Sequence, residues 1–204
     1  MSSFATERFS MVQHQLRGQG ITDEGVLAAM ERIPRHLFLD RRRWNEAYAP
    51  RAVPLQEGQT LSQPYMVALM SQALEVSPGL RVLEVGTGSG YQAAVLAEMG
   101  AVVFTVERIE PLARRAREVL DGLGYDTVRI RVDDGSLGWN EEAPFDRIVV
   151  TAAAPQPPAS LVAQLGDGGL LVAPVGELEL QHLALVRRDG AEVRVQEGCA
   201  CRFV

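Results

Sequence analysis

The stretch Arg81-Val-Leu-Glu-Val-Gly-Thr-Gly-Ser-Gly-Tyr91 constrains this chain more than any other part of it. Val82, Leu83 and Val85 read as a buried strand, and Tyr91 to Met99 as the helix that follows. Between them Gly86, Gly88 and Gly90 let the backbone turn sharply with no Cβ in the way, so a ligand can lie against bare peptide. The free N–H groups that open the helix favour an anionic or polar ligand group. Spacing narrows the choice of ligand. A dinucleotide loop reads G-x-G-x-x-G; counted from Gly86 its third glycine falls on Tyr91, and counted from Gly88 on Ala93. Glu84, two residues before the first glycine, suits an ammonium group better than a pyrophosphate.

At 204 residues the chain is expected to form one domain, large enough to bury roughly 70% of its unfolded surface. The net charge of −6 argues against a broad nucleic-acid footprint, which needs a basic face. No run approaches the ~18 apolar residues of a membrane span. The N-terminus lacks a signal-peptide core, so a cytoplasmic protein with no membrane partner is expected. Cys199 and Cys201 read as ordinary reduced thiols, and no second cysteine pair or histidine cluster completes a metal site.

Helical signals dominate the first third. Met11 to Leu16 reads as a short helix broken by Gly18-Gln-Gly20. Thr22 or Asp23 caps a second, running to about Arg32, with Val26, Leu27 and Met30 at core spacing. Arg41-Arg42-Arg43, beside Asp40 and Glu46, reads as a solvated face. Residues 47–59 read as irregular. Pro64 opens another helix, capped by Ser62 or Gln63 and running to about Leu74. From residue 81 the rhythm is strand–helix–strand: strands at 81–86, 101–107, 127–132, 146–151 and 169–175, with helices at 91–99, 110–120 and 158–165. Short apolar strands alternating with amphipathic helices predict a mostly parallel sheet covered on both faces. Leu180 to Arg187, a turn at Asp189-Gly190, and Ala191 to Val204 read as an antiparallel pair. The expected fold is a doubly wound α/β sheet of seven strands with an N-terminal helical extension (1–77), a ligand-binding core (78–204) and a closing hairpin.

In such a sheet the ligand lies at the carboxyl ends of the strands, near the point where strand order reverses. Three strand ends carry suitable chemistry: the glycine loop, Glu107 and Asp134. Glu107 follows Gly86 by 21 residues, the usual distance of a carboxylate that accepts both ribose hydroxyls. Asp134, with Gly135, closes the third strand, where an adenine amino group needs an acceptor. The E-x-G-x-G-x-G loop resembles the nucleotide loop of S-adenosylmethionine-dependent methyltransferases, which implies the Rossmann-like fold of the class I enzymes.

The whole chain, in addition, resembles the protein-L-isoaspartate (D-aspartate) O-methyltransferase family. The family pattern G-Q-T-[IL]-S-[QA]-P is matched at Gly58 to Pro64. Met11 to Leu16 with Gly20-Ile21, Ile33-Pro-Arg-His36 and Ala47-Tyr48 are also similar. So are Asp133-Asp-Gly135 with Gly138-Trp139, Phe145 to Pro155, Gly168-Gly169 with Pro174-Val-Gly176, and Arg202-Phe-Val204. The resemblance implies methyl transfer from S-adenosylmethionine, leaving S-adenosylhomocysteine, to the free α-carboxylate of L-isoaspartyl residues in damaged proteins and peptides. By the same analogy Ser62 is the active-site residue. Thr60, Leu61, Glu84, Gly86, Thr87, Gly88, Ser89, Gly90, Glu107, Arg108, Asp134 and Gly135 would surround the cofactor, with no metal, in a monomer. A carboxylate is ionised at neutral pH and needs no strong base, so the lack of an obvious histidine or cysteine catalyst agrees with this chemistry. A methyltransferase acting on another carboxylate with the same scaffold is the alternative.

The chain departs from the family pattern at Pro50, at Leu55-Gln-Glu-Gly58 and at Ser136-Leu137, all flanking the expected peptide side. It also ends at Val204, where members run on with Pro-Leu and a short tail. These departures bear on acceptor preference and activity more than on cofactor binding.

Overall fold

Helices occupy the N-terminal third, as the capping signals require. The computed structural model describes residues 3–177 and 180–203; Val204, the last residue of the Arg202-Phe-Val204 match, lies outside the described residues, as do residues 1, 2, 178 and 179. Helix α1 (Ser3–Ser10) runs straight into a π-helical turn at Met11–Leu16 and a 3-10 turn at Arg17–Gln19. The sequence pattern predicts only the middle of this segment. None of α1's residues is fully buried, so it has no apolar period to read. It is anchored instead by tertiary contacts, notably the Phe4 ring stacked 4.3 Å from that of His36. In α2 (Glu24–Arg32) the cap is Asp23, whose carboxylate accepts from the Val26 amide at 3.1 Å, and Val26, Leu27 and Met30 are buried.

The segment expected to be irregular, 47–59, contains the short strand β1 (Val53–Pro54), which pairs antiparallel with β2 (Thr60–Leu61) just beyond it, and α3 (Pro64–Ala73) starts at Pro64. Gln63 occupies the cap position, and neither it nor Ser62 bonds the helix amides through its side chain.

The large sheet contains β3 (Arg81–Val85), β4 (Val102–Glu107), β5 (Arg129–Val132), β6 (Phe145–Val150), β7 (Leu165–Glu177), β8 (Leu180–Asp189) and β9 (Glu192–Cys201), in the order β5-β4-β3-β6-β7-β8-β9. The first five strands are parallel, and β8 and β9 add antiparallel. β7 begins four residues earlier than the apolar run at 169 predicts, because Leu165 pairs with Phe145 across an irregular register.

Strand alternation divides the core. Val82, Val103, Val149 and Val172 face one side, and Leu83, Phe104, Ile148 and Leu171 face the other. Helices α4 (Tyr91–Glu98) and α5 (Glu110–Gly122) share the first side with α2 and α3, while α6 (Ala159–Ala163) covers the second. Tyr91 to Leu96 are all buried because α4 is sandwiched between the sheet and the N-terminal helices. Of these, Val95 and Leu96 each contribute about 1.5–3 kcal/mol before entropy is counted. Among the described residues no helix is long and apolar enough to cross a membrane. Cys199 and Cys201 are free thiols on the outermost strand.

Candidate active site

From β3 the chain steps outward through β4 to β5, then returns to the other side of β3 with β6. Strand order therefore reverses at β3, and its carboxyl end opens a crevice. A cleft of about 380 Å³ occupies this position.

The glycine loop forms its floor. The Gly86 amide donates to the Val106 carbonyl at 2.9 Å, and the Gly90 amide to the Thr87 carbonyl at 2.8 Å, so the turn is tied to β4 and closed on itself. At Gly86 (φ +97°) a Cβ would lie 2.4 Å from Thr151 Oγ1. That hydroxyl is 2.7 Å from the Gly86 carbonyl and 3.0 Å from that of Val85, and its proton clamps the loop to the end of β6. Gly88 (φ +53°) differs: a Cβ there would meet nothing within 4 Å, which leaves its peptide bare toward the cleft. Gly90, expected at the cofactor, does not line the cleft. A Cβ there would press on Ala116 and Leu120 of α5 at 3.2–3.3 Å, so its small size serves helix packing.

Three carboxylates stand at the strand ends. Glu84 is fully buried; its Oε2 accepts from Thr105 Oγ1 at 2.6 Å, and Oε1 has no partner among the described residues. Burial is the main reason its acid is pushed up to about 8; the Thr105 bond opposes that rise and the neighbouring Glu107 charge adds to it. With no cation in the cleft, Glu84 is therefore mostly protonated near neutral pH. Glu107 is held by two backbone donors, the amides of Gly88 at 2.8 Å and Ile109 at 2.9 Å. A carboxylate has about four lone-pair sites, so two remain for a ligand. Asp134 Oδ1 accepts from the Ser136 amide at 3.0 Å, and hydrogen bonds from Ser136 hold its acid below the ordinary value.

The opposite wall comes from β2 and the start of α3. Thr60, Leu61 and Ser62 line the cleft there, together with Arg108, Thr87, Ser89 and Gly135 from the sheet side. Every predicted site residue except Gly90 thus faces one cavity, although Ser62 and Glu84 belong to separate sequence blocks.

Thr151, Gln92 and Phe203 also line the cleft and went unread as site residues. Thr151 sits inside the family-like Phe145–Pro155 block at the end of a strand, which was the available signal. Gln92 reads as an ordinary helix residue, yet it is buried and donates to Ser71 Oγ at 2.8 Å. Phe203 arrives from beyond β9, with its amide bonded to Gln181 Oε1 at 2.7 Å, and nothing local marks it.

Residues 7–204 match the family model described as Protein-L-isoaspartate(D-aspartate) O-methyltransferase. The protein-L-isoaspartate O-methyltransferase of Syntrophus aciditrophicus is 48% identical over 207 residues, which span 100% of this chain and 95% of that protein. The enzyme of the same name from Methanoculleus marisnigri is 53% identical over 196 residues, 96% of this chain and 89% of its own length. A crystal structure of a putative protein-L-isoaspartate O-methyltransferase from Plasmodium falciparum, in complex with S-adenosyl-L-homocysteine, superimposes with a TM-score of 0.83 at 26% identity. It covers 97% of this chain and 96% of that one.

Proposed function

This chain belongs to the protein-L-isoaspartate (D-aspartate) O-methyltransferase family, and from that membership we infer that it moves the methyl group of S-adenosylmethionine onto the free α-carboxylate of L-isoaspartyl residues in damaged proteins and peptides. The methyl ester formed cyclises to a succinimide, which can reopen as normal aspartate. The protein is a repair methyltransferase.

One observation carries the assignment of the site: Ser62 and the glycine loop face the same cleft as a buried carboxyl, one oxygen of which has no partner among the described residues. That oxygen, Glu84 Oε1, tests the fit of the cofactor. A carboxyl kept protonated by burial ionises when a cation reaches it, so the site is built for a ligand bearing an ammonium group. The bare Gly88 peptide and the remaining lone pairs of Glu107 suit the nucleoside in the same way. S-adenosylmethionine, when bound, supplies a methyl group activated by its positively charged sulfur.

The protein's share of the work is positioning. Glu84 holds the ammonium of the amino-acid end, Glu107 accepts from the ribose, and Asp134 with Gly135 borders the adenine. Thr60, Leu61 and Arg108 close the sides. Ser62 orients the acceptor carboxylate through its hydroxyl and removes no proton, because the carboxylate is already ionised. Holding oxygen, carbon and sulfur in line and keeping water out then supplies most of the rate. Residues 1–77 form the acceptor side and 78–204 the cofactor side of a monomer acting in the cytoplasm on protein rather than nucleic acid. The net charge of −6 supports that choice of partner.

The test uses labelled S-adenosylmethionine and two peptides that differ only in an isoaspartyl or aspartyl linkage. Methyl transfer to the isoaspartyl peptide alone, reduced at least ~10²-fold in Ser62→Ala with cofactor affinity unchanged, is the expected result. Equal transfer to both peptides, or to neither despite cofactor binding, refutes the reading.

A further inference from the structure

Arg35 is a fully buried cation with no carboxylate partner among the described residues. Its Nε donates to the Ala47 carbonyl at 2.7 Å, and its Nη2 donates to the Ser62 carbonyl at 2.6 Å. The guanidinium lies 4.6 Å from the centre of the Tyr91 ring, and Nη1 has no partner among the described residues. Burying a charge against carbonyl dipoles and a ring face alone is expensive, so a purely structural role is poorly served by arginine here. An apolar side chain of similar volume would fill the same space but would take away the donors that the Ala47 and Ser62 carbonyls now have.

The three groups it touches give the charge a purpose. Ala47 ends the turn Arg41–Glu46, Ser62 follows β2, and Tyr91 is the first residue of α4, directly after the glycine loop. One planar fork therefore joins the peptide of the acceptor-side serine to the helix that carries the cofactor loop. Arg35 does not itself line the cleft. We propose that Arg35 is a positioning residue for methyl transfer, fixing the Ser62 peptide and thereby the direction of Ser62 Oγ relative to the glycine loop. The proposal rests on the role assigned to Ser62 above. The physical demand is real: in-line transfer loses on the order of 10²-fold in rate for a misplacement of about 1 Å. Lysine cannot replace the fork, because a point charge on a flexible stem does not serve two carbonyls and a ring at once.

The test is a double-mutant cycle of Arg35→Met and Ser62→Ala, read as kcat on the isoaspartyl peptide and as calorimetric affinity for S-adenosylmethionine. Arg35→Met is expected to lower kcat 30- to 100-fold, an order-of-magnitude figure from the same positional argument, with cofactor affinity within about twofold. In the Ser62→Ala background it is expected to lower kcat no further. An equal loss in both backgrounds, or a loss matched by weakened cofactor binding, overturns the proposal and makes Arg35 a structural residue. If Ser62→Ala alone leaves kcat unchanged, the assignment of the serine fails first and the proposal with it. Should Arg35→Met fail to fold, Arg35→Lys is carried through the same cycle with the same expected non-additivity.

Discussion

Replacing Gly86 by alanine tests whether the glycine loop is held by strain-free fit or merely tolerates glycine. The new Cβ would stand 2.4 Å from Thr151 Oγ1 at a backbone φ of +97°. A left-handed backbone costs an alanine about 1–2 kcal/mol. The contact forces Thr151 back by close to an ångström, which breaks its bonds to the Gly86 and Val85 carbonyls and costs about 1 kcal/mol more. Together these give roughly 2–3 kcal/mol, or about 4–12 °C in Tm for a domain of this size. Thr151→Ala alone removes the same hydroxyl bonds and is expected to cost about 1 kcal/mol. In the double variant the hydroxyl is lost once, not twice, so its total should fall about 1 kcal/mol short of the sum of the singles. Urea unfolding followed by circular dichroism measures all four proteins, and calorimetry measures their affinity for S-adenosylmethionine. Strict additivity in the unfolding free energies would refute the claim that Gly86 and Thr151 interlock.

Two further outcomes follow from the carboxylates. Burial raises the Glu84 acid to about 8 in the folded state, against about 4.3 when unfolded, so the native state holds the extra proton. Its contribution to stability is full below pH ~4.3 and declines, by at most about 1.4 kcal/mol per pH unit, until it levels off above pH 8. Glu84→Gln has no such slope; without cofactor its stability relative to the parent should rise between pH 5 and 8, and a flat difference would show that burial does not perturb this group. Glu107→Gln leaves one oxygen where two amide donors, from Gly88 and Ile109, now find two. The amide NH₂ would face a backbone N–H, so Glu107→Gln should lose roughly 1–3 kcal/mol of stability and at least tenfold in cofactor affinity, measured by thermal melts and calorimetry.

What the sequence determined by itself was local. The turn of the glycine loop, the short apolar runs of β3, β4 and β6, a helix cap at Thr22 or Asp23 and the Pro64 start are written in windows of a few residues, because dihedral limits and local burial act over that range. The carboxylates at the strand ends were legible for the same reason, since a strand boundary and an acidic residue can be read together. Ser62 was found through its block's resemblance to a family, not through any local physical signal. Tertiary structure alone decided the rest. The order of the strands, the anchoring of α1 by Phe4 on His36, and the use of Gly90 for packing against α5 depend on which faces meet. Thr151 reaches Gly86 across 65 residues of chain, and Arg35 reaches Ser62 across 27. No propensity or period encodes such pairings, because their energies exist only once the sheet and the N-terminal helices have stacked.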